Sequence, residues 1–136
     1  MQPYFLIPAL MLLVSCGTDN SNFRADCNGK MITYSQGVQT VEKETRRYEF
    51  ADNKLIGKEC SLNKGIIFCY SEVTESDFRS KEQLIFDRNN YTLTDIKTTI
   101  EANKGGEAKF TKTEIYQSNC PMVIPPLTTA LRSRVN

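Results

Sequence analysis

From residue 31 onward, short runs rich in β-branched and aromatic residues alternate with turn-forming clusters, the pattern of consecutive antiparallel strands. Residues 31–34 form a short β-prone run. Residues 38–50 carry Glu and Lys that suit a helix, but Tyr48 and Phe50 alternate with polar neighbours and Ala51-Asp52-Asn53 follows as a turn. A strand is therefore expected there. Residues 55–70 read as a hairpin folded about Asn63-Lys64-Gly65, and residues 74–80 as a polar loop. Residues 83–87 and 91–96 flank Arg88-Asn89-Asn90, a second hairpin whose asparagines tolerate the left-handed backbone of a tight turn. Residues 98–101 and 108–116 flank a third hairpin turn at 103–106. Pro121, Pro125 and Pro126 end sheet pairing, and the spacing of Leu127, Leu131 and Val135 predicts a short C-terminal helix. The expected fold is all-β: a single antiparallel sheet, curled or closed into a small barrel, followed by that helix.

The amino-terminal end follows a different pattern. Residues 5–14 are apolar apart from Pro8, and the first fifteen residues carry no charged side chain. A bilayer-spanning helix needs roughly 20 apolar residues, so this run is too short to span and fits a signal-peptide h-region. The positive n-region of such peptides is missing. Leu13-Val14-Ser15-Cys16 follows the run and resembles the lipobox of bacterial lipoproteins. The resemblance covers sixteen residues. It implies cleavage before Cys16, lipidation of the Cys16 thiol and a stable membrane anchor. An ordinary secretory signal cut after Cys16 gives no reason for a cysteine at this place. Gly17, where inner-membrane lipoproteins of enteric bacteria carry Asp, points to the outer membrane with the domain facing the periplasm. Residues 17–26 are polar and read as a flexible tether. The expected organisation is a signal peptide at 1–15, a lipidated tether at 16–26 and a β-rich domain at 27–136.

Five cysteines are an odd count for a secreted chain, and a lipidated Cys16 resolves it. The remaining four, Cys27, Cys60, Cys69 and Cys120, allow three pairings. If Lys64-Gly65 is a two-residue hairpin loop, Asn63 faces Ile66 and Cys60 faces Cys69 in a non-hydrogen-bonded pair. Such pairs hold their Cα atoms about 4.5 Å apart, within disulfide reach. Cys27 is then left with Cys120, 93 residues away. A zinc site is the rival reading, but the spacings lack paired C-x₂₋₄-C clusters and the chain has no His.

Composition narrows the chemistry. At 136 residues the chain suits one domain. Seventeen Lys and Arg against 16 Asp and Glu leave a net charge of +1, too little field to gather nucleic acid. Without His, a Ser/His/Asp or Cys/His centre is impossible, and no phosphate loop or nucleophile elbow occurs. No enzyme, metal or cofactor is expected. Glu72, Glu75, Asp77, Asp87 and Asp95 are candidates for a glycosidase-type carboxylate pair. Solvated sheet faces and loops are the preferred reading of these acids. Arg46-Arg47 beside Tyr48 suggests an anion site. Strand alternation, however, sends the two arginines to opposite faces, and a charged edge strand explains them as well.

Lys104-Gly105-Gly106-Glu107-Ala108, with Cys120 twelve residues on, is similar to the tail of membrane-bound inhibitors of c-type lysozyme. The similarity spans about seventeen residues. It implies a disulfide-stapled β-barrel lipoprotein with Lys104 as a partner contact. The Ser-Gly-x-x-Tyr loop and the Trp before the Lys are both missing, and a Gly-Gly hairpin turn gives the same string. The expectation is a lipid-anchored envelope module that binds or shields an envelope protein or glycan, with an inhibitor of a lysozyme-type enzyme as the alternative.

Overall fold

A computed structural model describes residues 21–102 and 108–124. They form eight strands: β1 (Phe23–Ser35), β2 (Val38–Phe50), β3 (Glu59–Asn63), β4 (Ile66–Thr74), β5 (Phe78–Asp87), β6 (Thr92–Ala102), β7 (Ala108–Asn119) and β8 (Met122–Val123). Among the described residues there is no helix. The C-terminal helix expected from Leu127, Leu131 and Val135 lies outside them, as do Cys16 and Lys104.

The strands make one antiparallel sheet in the order β2-β1-β7-β6-β5-β4-β3, with β8 beside the start of β1. The expected alternative of a closed barrel is not realised, because β2 and β3 remain unpaired with each other. The connection between them, residues 51–58, turns instead of pairing. Ala51 and Lys54 exchange backbone hydrogen bonds at 2.9 and 3.0 Å, and Asp52, Asn53 and Gly57 all have positive φ.

That same connection forces the sheet to curl. Strands β2 and β3 are consecutive in sequence yet occupy opposite edges. In a flat sheet six inter-strand steps would separate them by about 29 Å. With residues 51–54 spent on a turn, the rest of the connector spans roughly half to two-thirds of that distance. The contacts agree: Phe50 on β2 stacks on Phe86 on β5 at 5.6 Å, although three strands lie between them in the sheet.

The core lies on the inside of the curl at one end. Period-two alternation puts Phe23, Ala25, Cys27, Ile67, Cys69, Leu84, Phe86, Leu93 and Tyr116 there, with Leu55 from the connector. Phe23, Phe50 and Phe86 stack in one group, with centroids 4.6 to 5.6 Å apart. Each fully buried Phe contributes on the order of 2–3 kcal/mol by burial alone. At Gly29 the strands approach so closely that a Cβ would sit 2.2 Å from the Gln117 carbonyl oxygen. No other residue fits there without moving β7.

Both disulfides form as expected, Cys27–Cys120 and Cys60–Cys69. The hairpin register has Asn63 opposite Ile66 and Cys60 opposite Cys69, so Lys64-Gly65 is the two-residue loop. Both loop residues have positive φ, 49° and 80°.

Three expectations need adjustment. Strand β1 begins at Phe23, inside the stretch read as tether, and Phe23 and Ala25 are buried. Their polar neighbours face outward, where Asp26 pairs with Arg24 at 3.0 Å and Arg47 at 3.1 Å. The loop expected at 74–80 shrinks to 75–77, because Phe78 and Ser80 turn inward and extend β5. In the β5–β6 turn the left-handed residue is Tyr91 (φ 56°), not Asn89 or Asn90. Asp87 holds both asparagines instead: the Asn89 backbone N–H donates to Asp87 Oδ1 at 2.8 Å, and Asn90 Nδ2 donates to Asp87 Oδ2 at 2.9 Å.

Candidate functional site

Along the strands, the inner face changes from apolar to charged. Strand β5 runs inward-facing from Phe86 and Leu84 to Glu82, and β6 from Leu93 to Asp95 and Lys97. On β7 Tyr116 gives way to Glu114, and on β2 Phe50 and Tyr48 give way to Arg46. Register fixes the neighbours: Lys97 stands opposite Glu82 on one side and Glu114 on the other. The result is a cleft of about 190 Å³ lined by Met31, Arg46, Glu82, Asp95, Lys97 and Glu114.

Asp95 forms its floor. It is 4% exposed, the one buried acid among the described residues. Oδ2 accepts from the Tyr48 hydroxyl at 3.0 Å and from Arg46 Nη1 at 3.3 Å, both reaching over from β2. Oδ1 has no hydrogen-bond partner. Curling makes this contact, since β1 and β7 separate β2 from β6 in the sheet.

Arg46 is held on every side. Its guanidinium pairs with Glu44 at 3.0 Å and lies 4.4 Å above the Tyr116 ring. The Tyr116 hydroxyl donates to the Glu44 carbonyl oxygen at 2.9 Å, which fixes the ring and ties β7 to β2. The connector supplies Lys58, whose ammonium binds Glu82 at 2.7 Å and Ser71 Oγ at 3.1 Å. Every charged lining group thus faces an opposite charge, and all of them except Asp95 are at least partly exposed.

These contacts set the protonation states. Burial, followed by the negative charge of Glu82, pushes the Asp95 carboxyl up to about 6. Burial works against the Glu82 carboxylate too, but the Lys58 ammonium prevails and holds it below its ordinary value. Burial also raises the Tyr48 hydroxyl, so it remains a donor at neutral pH. Glu82 and Asp95 are hydrogen-bond neighbours when one carries a proton. Carboxyl groups that close do not match the roughly 5–9.5 Å separations of glycosidase pairs.

Of the acids singled out from sequence, only Asp95 reaches the cleft. Glu72 binds Arg79 and Tyr70 on the outer surface, Asp87 holds the β5–β6 turn, and Glu75 and Asp77 are exposed. Arg46 and Arg47 face opposite sides of β2 as alternation required, with Arg46 in the cleft and Arg47 on Asp26. Glu82, Lys97, Glu114 and Met31 were not foreseen. Counting by twos from Leu84 and Leu93 would have put Glu82 and Lys97 on the inner face.

A wider depression of about 450 Å³ at Gly65, Arg88, Asn89, Tyr91, Pro121, Met122 and Ile124 has no buried acid in its lining. Among the described residues no group of three or more metal-binding side chains occurs, and no helix is long and apolar enough to cross a membrane. Comparison with family models, curated proteins and solved structures finds no match.

Proposed function

We propose that this chain is a lipid-anchored protein of the bacterial cell envelope that binds a small polar ligand in the cleft around Asp95 and performs no chemistry on it. The anchor reading rests on the apolar run at 5–14 and on Leu13-Val14-Ser15-Cys16. Gly17 favours the outer membrane. The two disulfides fit an oxidising compartment, because reduced cytoplasm does not sustain structural bridges.

The observation that carries the binding reading is the cleft itself, about 190 Å³, where Met31, Arg46, Glu82, Lys97 and Glu114 gather around Asp95, the one buried acid among the described residues.

Cell fractionation tests the placement. Full-length protein sediments with membranes, and Cys16→Ala leaves the membrane fraction. Wild-type protein in the soluble fraction contradicts the reading. The alternative, inhibition of a lysozyme-type enzyme through Lys104, draws on the string at 104–108. It requires that the purified protein block c-type lysozyme in a cell-wall lysis assay and that Lys104→Ala abolish the block.

A further inference from the structure

We infer that the free edge of β2 is a self-association surface, where residues 38–44 pair antiparallel with the same residues of a second copy of this chain about a two-fold axis at Val41. The inference goes beyond the binding reading above and depends on neither the cleft nor the anchor.

Three observations carry it. The first is the edge itself. Of the two free edges, β3 is five residues long, whereas β2 runs through thirteen residues in unbroken register, with neither proline nor bulge. Gln36-Gly37 is a two-residue loop with positive φ at both positions, so Ser35 and Val38 form a hydrogen-bonded pair and the pattern alternates from there. The backbone N–H and C=O of Gln39, Val41 and Lys43 therefore point away from β1, and among the described residues no strand receives them. A long edge of this kind pairs with another chain unless something guards it. Charge guards only its later part: Glu42, Lys43, Glu44, Arg46, Arg47 and Glu49 are charged, and residues 38–41 are not. Residues 38–43 are all exposed, on both faces of the strand.

The second observation says what the edge meets. On the outer face of the sheet, Ile96 stands opposite Ile115, Ile115 opposite Ile32, and Ile32 opposite Val41. This aliphatic row stops at the edge, where Val41 is 54% exposed. A two-fold axis at Val41 keeps outer residues opposite outer residues and sets the two valines side by side. The rows of the two copies then join into one apolar stripe across both sheets, a continuation that a second copy supplies by symmetry.

The third is charge, which selects the register. About Val41, Gln39 faces the second copy's Lys43, Thr40 faces its Glu42 and Val38 faces its Glu44, so no like charges stand directly opposite. Moving the axis to Glu42, Lys43, Glu44, Arg46 or Arg47 sets that charge opposite its own copy, and moving it to Thr45 sets Lys43 opposite Arg47. An axis nearer either end of the strand, at Thr40 or Tyr48, shortens the overlap. The Val41 register forms about six backbone hydrogen bonds between the copies.

Full-length protein in detergent is tested by cysteine cross-linking and by sedimentation. Gln39→Cys and Lys43→Cys face each other across the axis, whereas each lies about 14 Å from its own counterpart. Mixed and oxidised, the two variants are expected to form a disulfide-linked heterodimer, and each alone is not. Val41→Cys is expected to link to itself. In sedimentation the wild type is expected to show a dimer whose fraction rises with protein concentration, because a small interface exchanges. Val41→Lys sets two ammonium groups on the axis and is expected to raise the dissociation constant about tenfold or more. Thr45→Lys, on the same face but beyond the overlap, is expected to leave it unchanged. Both positions are exposed, and circular dichroism checks that each variant keeps the wild-type strand signal. A wild type that is monomeric at every concentration overturns the proposal and leaves the edge to an extended segment of another protein. A dimer that survives Val41→Lys, or links formed equally well by Gln39→Cys alone, places the contact elsewhere and overturns it too.

Discussion

The Tyr48 hydroxyl donates to Asp95 Oδ2 at 3.0 Å across 47 positions of sequence. It joins an edge strand to the middle of the same sheet, with two strands between them. Together with the Tyr116 bond to the Glu44 carbonyl oxygen, it holds the curl shut over the cleft without any pairing between the free edges.

Tyr48→Phe keeps the ring and removes the donor. Asp95 is then left with Arg46 as the donor to Oδ2. A loss of about 1–2 kcal/mol in urea unfolding is expected, with the Asp95 carboxyl shifted further up in a pH titration. An unchanged midpoint and an unchanged titration would show that the hydroxyl is not holding the carboxylate.

Stability should also respond to pH in the direction set by Asp95. Its carboxyl is near 6 in the folded protein against an ordinary 3.8, so the folded state keeps a proton that the unfolded chain has released. The stabilisation is complete below about pH 4 and is lost as pH rises through 6. Glu82, Asp26 and Glu72 are all held below their ordinary values, so their opposite contributions are already in place above pH 5. Between pH 5 and 7 the wild type should lose about 1.3 kcal/mol relative to Asp95→Asn. Parallel stability curves for the two proteins across that window would contradict the assignment.

The two disulfides should differ in worth. Cys27–Cys120 closes 93 residues and Cys60–Cys69 closes nine. By loop-closure entropy the first stabilises by about 4–5 kcal/mol and the second by about 2–3 kcal/mol. Paired Cys→Ser replacements followed by urea unfolding compare them directly. Equal losses would mean that the unfolded chain is already constrained between its ends.

Gly29→Ala tests the close approach of β1 and β7. The added Cβ would meet the Gln117 carbonyl oxygen at 2.2 Å and Ser118 Cβ at 2.4 Å, both too near to accommodate without backbone movement. A loss of about 3 kcal/mol or more, or failure to fold, is expected. A neutral effect would mean that the strands are further apart than described.

Local chemistry made much of this fold legible. Lys64-Gly65 gave a hairpin length, the length gave the register, and the register gave Cys60 opposite Cys69. Arg46 and Arg47 fell on opposite faces for the same period-two reason. Phe23 and Ala25 were misplaced because the polar residues around them outweighed an alternation that was present throughout. The cleft was legible only in part, because no local signal says that β2 and β3 end at opposite edges. That placement curls the sheet, and the curl is what brings Arg46 and Tyr48 onto Asp95. Asp95 was visible as an acid next to an inward Leu93, but its partners come from strands that no hairpin connects to β6.

The most direct test of the proposed envelope anchor is acylation of Cys16. Cells expressing the full-length chain are grown with an alkyne-tagged fatty acid, and the purified protein is scored for label. Wild type is predicted to carry the tag, with the bound lipid mapping to the peptide that begins at Cys16, and Cys16→Ala to carry none. Equal labelling of the two, or an unlabelled wild type whose mature chain starts elsewhere, would contradict the account.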